Sequence, residues 1–352
     1  MIRTDATAMM WRALPLLSAH TYNMKKPVKI LLITLVTICV LVAVAITFTI
    51  GWRPFLGPRK RNLTNRQFER TPERLARGRY LSQSLLGCES CHSPKDWSQH
   101  GAPTLPGAEL VGQAMPIPGF PGSIVAPNLT PDPETGSGNW TDDQMARAIR
   151  EGIKHDDTIL FPMMPYSAYK ELSDEDVASI VVYLRSMRPV RNPLPPTRIN
   201  FPVNYLVRSA AEPVLQPVPG PSSSDPLARG KYMVHLGCGC HSINDNLGYA
   251  GGERLAGPWG DVVSANITPD PSGISYYSEA TFVTALRTGY VGARKLNSIM
   301  PFGQFKELTD DDLKAIFAYL RSVPPVKHRV DNSLAPTYCK LCKQKHGGGD
   351  QN

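Results

Sequence analysis

Apolar positions in this chain fall into one long uninterrupted run and several short helical stripes. Residues 30–50 contain no charged side chain. At about 1.5 Å per residue a helix of that length crosses the hydrocarbon of a bilayer. It follows a basic start, Met24-Lys25-Lys26-Pro27-Val28-Lys29, and basic residues before an apolar run are an export signature. Ala43-Val44-Ala45 resembles a signal-peptidase site, but the apolar character continues through Phe48 and Trp52. The segment 24–52 is therefore read as an uncleaved signal anchor. Residues 1–23 are read as a non-native extension ahead of a start at Met24.

Further on, the stripes are short and capped. Ser173 precedes Asp174-Glu175-Asp176, and Val177, Ile180, Val181 and Leu184 follow at i, i+3, i+4 and i+7. That pattern predicts an amphipathic helix over 173–186 with a serine cap and acids at its positive end. Leu313, Ile316, Phe317 and Leu320 predict the same over 309–322. Thr141 with Gln144 makes a capping-box pattern for a helix ending near Gly152. Its counterpart covers 278–289.

These correspondences belong to an internal repeat. Leu75-Ala76-Arg77-Gly78-Arg79-Tyr80 returns as Leu227-Ala228-Arg229-Gly230-Lys231-Tyr232, and Asn128-Leu129-Thr130-Pro131-Asp132 as Asn266-Ile267-Thr268-Pro269-Asp270. Met164-Pro165-Tyr166 returns as Met300-Pro301-Phe302. Matches in conserved order predict two homologous domains, at 72–190 and 225–326. A polar linker covers 53–71. A Pro- and Ser-rich linker covers 191–224 and is expected to be stiff and extended and to pack along both domains. A tail covers 327–352.

Composition adds two points. The chain has 352 residues, with 33 Pro and 28 Gly, which suits small, loop-rich domains held by a prosthetic group. Its net charge of +8 would suit nucleic acid if it were spread over the domains. It is not: residues 1–70 carry 11 Lys/Arg against 2 Asp/Glu, and residues 71–326 carry 22 against 26. The basicity flanks the apolar run, so nucleic acid is not an expected partner.

Six of the seven cysteines lie in close pairs. Cys88-Glu89-Ser90-Cys91-His92 is a Cys-x-x-Cys-His sequence, the attachment pattern of a c-type haem. Two thiols two residues apart reach the two vinyl groups, and the next imidazole lies under the iron. A redox dithiol or half of a zinc site would not call for the adjacent histidine. The sixth ligand is expected from Phe161-Pro162-Met163-Met164-Pro165, because a Met sulfur favours ferrous iron. Only Met164 has a repeat counterpart, Met300, so Met164 is the expected ligand and Met163 its neighbour.

The second domain departs from this pattern. Gly237-Cys238-Gly239-Cys240-His241 is one residue short, with Gly237 where the first thiol would stand. Either a haem is held by His241 and Met300 and joined through Cys240, with Cys238 strained onto the other vinyl, or this domain has lost its haem. The tail's Cys339-Lys340-Leu341-Cys342-Lys343 has the form of a rare attachment variant with lysine in place of histidine. A small disulfide, a metal contact or a third haem packed on another subunit all fit it.

On Cys88, Cys91 and His92, the Asn128–Asp132 sequence, Met164-Pro165-Tyr166 and the closing Tyr183-Leu184-Arg185 helix, the first domain resembles class I cytochromes c. Across about residues 72–326 the chain resembles membrane-anchored dihaem cytochrome c subunits of periplasmic dehydrogenases. That resemblance implies an all-α fold: an N-terminal transmembrane helix followed by two tandem class I cytochrome c-like domains. First and last helices of each domain would cross, Gly78 facing Tyr183 and Gly230 facing Tyr319. It implies two haem c groups and a single-pass protein of the bacterial cytoplasmic (inner) membrane, with its haem domains in the periplasm. Electrons would pass from a dehydrogenase or a quinol-oxidising complex to a soluble cytochrome or terminal oxidase. The rival reading is a haem enzyme, such as a dihaem peroxidase or a thiosulfate-oxidising cytochrome, or a haem c subunit of a terminal oxidase. A methionine ligand in each domain favours the carrier.

Overall fold

The computed structural model describes residues 25–330, apart from Pro116, Pro118, Ser223 and residues 243–247, together with Asn332 and the backbone of residues 337–338 and 345–346. The expected extension at 1–23 and the tail residues Cys339, Cys342 and Lys343 lie outside the described residues. The chain divides at Trp52 into two compact units. The first holds helix α1 (Lys26–Phe48), 23 residues long. Its mean hydropathy of 3.0 and its length suffice to cross a membrane. All the remaining described residues belong to the second unit.

The second unit repeats one helical arrangement, with short strands added. The first repeat has α3 (Pro72–Tyr80), α4 (Cys88–His92), α5 (Asp142–Glu151), α6 (Tyr166–Tyr169) and α7 (Asp174–Ser186), preceded by the turn α2 (Arg53–Leu56). The linker contributes α8 (Val203–Leu206). The second repeat has α9 (Pro226–Gly237), α10 (Glu279–Thr288), α11 (Phe302–Phe305) and α12 (Asp310–Ser322). Helix starts are chemically the expected ones. Ser173 accepts from the Asp176 amide, Thr309 from the Asp312 amide, and Thr141 forms a full capping box with Gln144. Gly152 and Gly289 end α5 and α10 in the left-handed conformation, which glycine adopts without a steric penalty.

Crossing of the first and last helices determines both cores. A Cβ on Gly78 would lie 1.9 Å from the Ser179 carbonyl oxygen and 2.8 Å from Tyr183 Cβ. On Gly230 it would lie 2.0 Å from the Ala315 carbonyl oxygen and 2.9 Å from Tyr319 Cβ. Both crossings therefore require glycine. Leu81, Leu85, Val177, Val181 and Leu184 fill the first core, and Met233, Val234, Leu313, Ile316 and Leu320 the second; all ten are buried in one apolar cluster.

Strands were not part of the all-α expectation. β1 (Gln113–Met115) and β2 (Gly122–Ala126) form an antiparallel hairpin after the first motif, and β4 (Arg254–Gly257) with β5 (Gly260–Val263) forms one after the second. The linker contributes β3 (Arg198–Ile199), which pairs with β2 through Gly122↔Ile199. The repeated Asn-x-Thr turns do similar work in each repeat. Asn128 accepts from the Thr130 amide and donates to the Val190 carbonyl, while Asn266 accepts from the Thr268 amide and donates to the Val326 carbonyl. Each turn thus ties down the chain leaving the last helix.

Candidate haem sites

Local backbone shapes the first motif. α3 runs into a π-helical stretch, Leu81–Leu85, then Gly87 in the left-handed region (φ 56°) turns the chain into α4. This presents Cys88 against the core, and His92 is buried behind it. His92 Nδ1 lies 2.8 Å from the Pro127 carbonyl oxygen. A carbonyl only accepts, so Nδ1 carries the proton and Nε2 keeps its lone pair for a metal. Burial lowers the His92 pKa below the usual imidazole value, the carbonyl bond opposing this, so the ring is held neutral, as a ligand must be. Burial likewise raises the Cys88 thiol to about 12.

The second motif reproduces the histidine and changes the cysteines. His241 is buried, with Nδ1 2.6 Å from the Ala265 carbonyl oxygen and a pKa lowered by burial. α9 has no π stretch; it ends at Gly237 and a 3₁₀ turn, Gly239–His241, takes the place of α4. Cys238 lies at the helix end and lines an apolar cavity. Gly237, His241, Met300, Phe282 and Leu320 share that lining. Cys240 is exposed. Of the two thiols, Cys238 faces the cavity.

Both expected methionines lie against the apolar cores. Met164 and Met300 are partly buried among core residues, whereas Met163 is 39 % exposed. Each follows the same local turn, with the Tyr166 amide bonded to the Met164 carbonyl and the Phe302 amide to the Met300 carbonyl, both at 2.8 Å. A cavity with imidazole, thioether and thiol on apolar walls fits a haem c. Among the described residues no group of three His, Cys, Asp or Glu could hold a bare metal ion, and Cys88, Cys91, Cys238 and Cys240 are free thiols.

The two motifs also meet each other, which the linear sequence concealed. Leu85, beside the first motif, lines the second cavity and would lie 3.1 Å from a Cβ on Gly237. Ser90, between the first pair of cysteines, donates to Gln304 Oε1 on α11 at 2.8 Å. Tyr169 is buried and donates to the Leu86 carbonyl at 3.3 Å. A reciprocal exchange locks the repeats together. Tyr80 donates to Asp312 and accepts from the Thr309 amide; Tyr232 donates to Asp176 at 2.7 Å and accepts from the Ser173 amide. Arg229 and Arg77 hold the same two carboxylates from within each repeat, at 2.5 and 2.7 Å. Tyr80 and Tyr232 were visible as matched repeat positions, but nothing in the linear pattern shows that they cross over.

This fold and these sites define a cytochrome, and comparison with known proteins gives the same class. The cytochrome c family profile matches residues 75–188. The chain belongs to the cytochrome c family, whose members carry covalently bound haem c. It is 30 % identical over 252 residues to a diheme cytochrome c-type protein of Cereibacter sphaeroides, covering 68 % of this chain and 83 % of that one. It is 32 % identical over 281 residues to the cytochrome c subunit of a quinone alcohol dehydrogenase from Gluconobacter oxydans, covering 72 % of this chain and 55 % of that one. It is 32 % identical over 270 residues to the fructose dehydrogenase cytochrome subunit of Gluconobacter japonicus, covering 71 % and 52 %. The chain thus spans about half the length of these two dehydrogenase subunits.

Proposed function

We propose that this chain is a membrane-anchored electron-transfer subunit carrying two covalent c haems in tandem cytochrome domains, at 72–190 and 225–326. Cys88 and Cys91 hold the first haem, ligated by His92 and Met164. Cys238 and Cys240 seat the second, ligated by His241 and Met300. The observation that carries this reading is the repeated arrangement of a buried imidazole, fixed through Nδ1 by a backbone carbonyl, in a repeat that also places a methionine against the core. A bound haem iron would supply a one-electron couple. The protein's own part is to orient each imidazole, exclude water and hold the two motifs against one another. α1 is read as the anchor, with the haem domains in the periplasm of a bacterial inner membrane.

By the names of its relatives, the electron donor is a dehydrogenase, with a quinol-oxidising complex as the alternative donor. The acceptor is a soluble cytochrome or a terminal oxidase. The haem-bearing region is net acidic, which suits salt-sensitive docking of a basic partner. The mass of the mature protein tests the haem count: two haem masses are expected, and one would refute the second site. Met164→Ala is expected to lower the potential of the first haem, because a thioether ligand favours ferrous iron. A redox titration unchanged by that substitution would remove Met164 from the site. Two low-spin haems in the visible spectrum are expected of a carrier, and a high-spin component would point to an enzyme.

A further inference from the structure

Two short segments far apart in sequence meet to form an apolar, basic surface. α2 packs on α8 and on the 3₁₀ turn Val207–Ser209 that follows it. Arg208 Nη1 donates to the Pro54 carbonyl at 3.3 Å, and Pro54 is buried beneath the contact. The side chains left at this junction are large and apolar: Phe55 is 51 % exposed, Leu56 72 %, Phe201 78 %, Tyr205 37 % and Leu206 42 %. The Arg208 guanidinium lies 4.2 Å above the Tyr205 ring, whose centroid is 6.0 Å from that of Phe201. Exposed apolar residues on water-facing surfaces are normally scattered singly. Five from two touching turns are not.

Residues 53–68 and 191–211 contain no Asp or Glu and hold Arg53, Arg59, Lys60, Arg61, Arg66, Arg191, Arg198 and Arg208. Four of these pair with acids from other segments, Lys60 with Asp157, Arg61 with Asp143 and Glu151, Arg66 with Asp143 and Arg191 with Glu134, so Arg208, with Arg53 beside it in α2, supplies the positive charge at the junction itself. The first carboxylate beyond the second segment, Glu212, is held by Lys170 at 2.8 Å. Exposed aromatic and aliphatic side chains beside arginine are the composition of a membrane–water interface. The covalent chain adds a third constraint. α1 ends at Phe48 and α2 begins at Arg53, so α2 lies within roughly 20 Å of where the apolar helix ends.

We propose that α2 and residues 201–208 form a lipid-docking surface that rests on the outer headgroup region of the bilayer and binds anionic phospholipid. This rests on reading α1 as the membrane anchor. Its consequence is orientation: the linker between the repeats becomes a second attachment to the membrane, so the haem domains are held at a defined tilt instead of swinging on a single tether.

The full chain in phosphatidylcholine–phosphatidylglycerol vesicles tests this, with p-benzoylphenylalanine replacing Phe201 or, as a control, Tyr276, which is 64 % exposed in the second repeat. Neither side chain fills a core, so both variants keep the fold. On irradiation, lipid adducts at position 201 are expected to exceed those at 276 by about tenfold or more, as headgroup burial of an interfacial turn requires. Equal yields at the two positions, or no lipid adduct at 201 while the chain still floats with the vesicles in alkaline carbonate, would overturn the docking surface alone. A chain that fails to float refutes the anchor and the inference with it. In native membranes, an adduct from 201 to a neighbouring protein subunit in place of lipid would make this a protein interface and refute the proposal.

Discussion

A single hydrogen bond sets the state of each histidine. By accepting from Nδ1, the carbonyls of Pro127 and Ala265 select the tautomer that leaves the Nε2 lone pair open,. The cysteines are less symmetric, and their positions have a measurable consequence. Cys238 lines the cavity while Cys240 is exposed. Cys238→Ser is therefore expected to lower haem attachment in the second repeat more than Cys240→Ser does, read by peptide mass spectrometry of purified protein. Equal losses would show that the exposed thiol is drawn in when the site fills. The motif that is one residue short also differs in conformation: α9 ends in a 3₁₀ turn where the first repeat uses a π stretch, a left-handed glycine and a short helix.

Helix crossings carry the fold at the scale of elements. Gly78 and Gly230 meet backbone carbonyls of the opposing helices, so a methyl group cannot be accommodated by rotating a side chain. Gly78→Ala is expected to destabilise the first repeat by about 1–3 kcal/mol, the usual cost of overpacking, and the rigid backbone contact puts it at the upper end. A lowered thermal midpoint of the far-UV signal measures this; an unchanged midpoint would mean the crossing relaxes freely. The segment before α3 is also tied down. Arg61 makes a two-pronged bond to Asp143 at 2.6 and 2.8 Å and a third to Glu151 at 2.6 Å. Burial alone would raise the Asp143 pKa, but Arg61, the Thr64 amide and Arg66 hold it well below the usual carboxylate range. The expected polar linker is therefore, around residues 61–66, a strap across α5.

In the whole haem-bearing unit, the two repeats exchange tyrosines. Tyr80 and Tyr232 each leave their own helix to satisfy the acidic cap of the other repeat's last helix. Tyr80→Phe leaves Asp312 with one fewer donor and is expected to cost about 1–3 kcal/mol. Burial, then the bond to Asp312, raises the Tyr80 pKa to about 12, above the value near 10 of an unfolded chain. A group whose pKa is raised on folding stabilises fully below its unfolded value and loses that contribution as pH rises through the folded one. The contact is thus expected to persist to about pH 10 and to weaken from there towards pH 12, seen as alkaline loss of far-UV ellipticity. In Tyr80→Phe that part of the pH dependence should disappear. An identical alkaline profile in the variant would show that this pair does not join the repeats.

What the sequence determined by itself was everything that depends on near neighbours. The membrane-length helix, the capped helices at 141–152, 173–186 and 309–322 and the first attachment motif all follow from residues within a few turns of each other, and the duplication from matching such local patterns along the chain. Spacing and side-chain chemistry act locally, so they can be read in order along the chain. The glycine crossings were legible only through resemblance, since Gly78 and Tyr183 lie over a hundred positions apart. Only the tertiary structure decided which thiol of the short motif faces the cavity, that Leu85 helps to build the second site, that Tyr80 and Tyr232 cross between repeats, and that α2 meets the linker. Each depends on which surfaces pack together after the local elements have formed, and packing complementarity leaves no period or spacing in a linear chain.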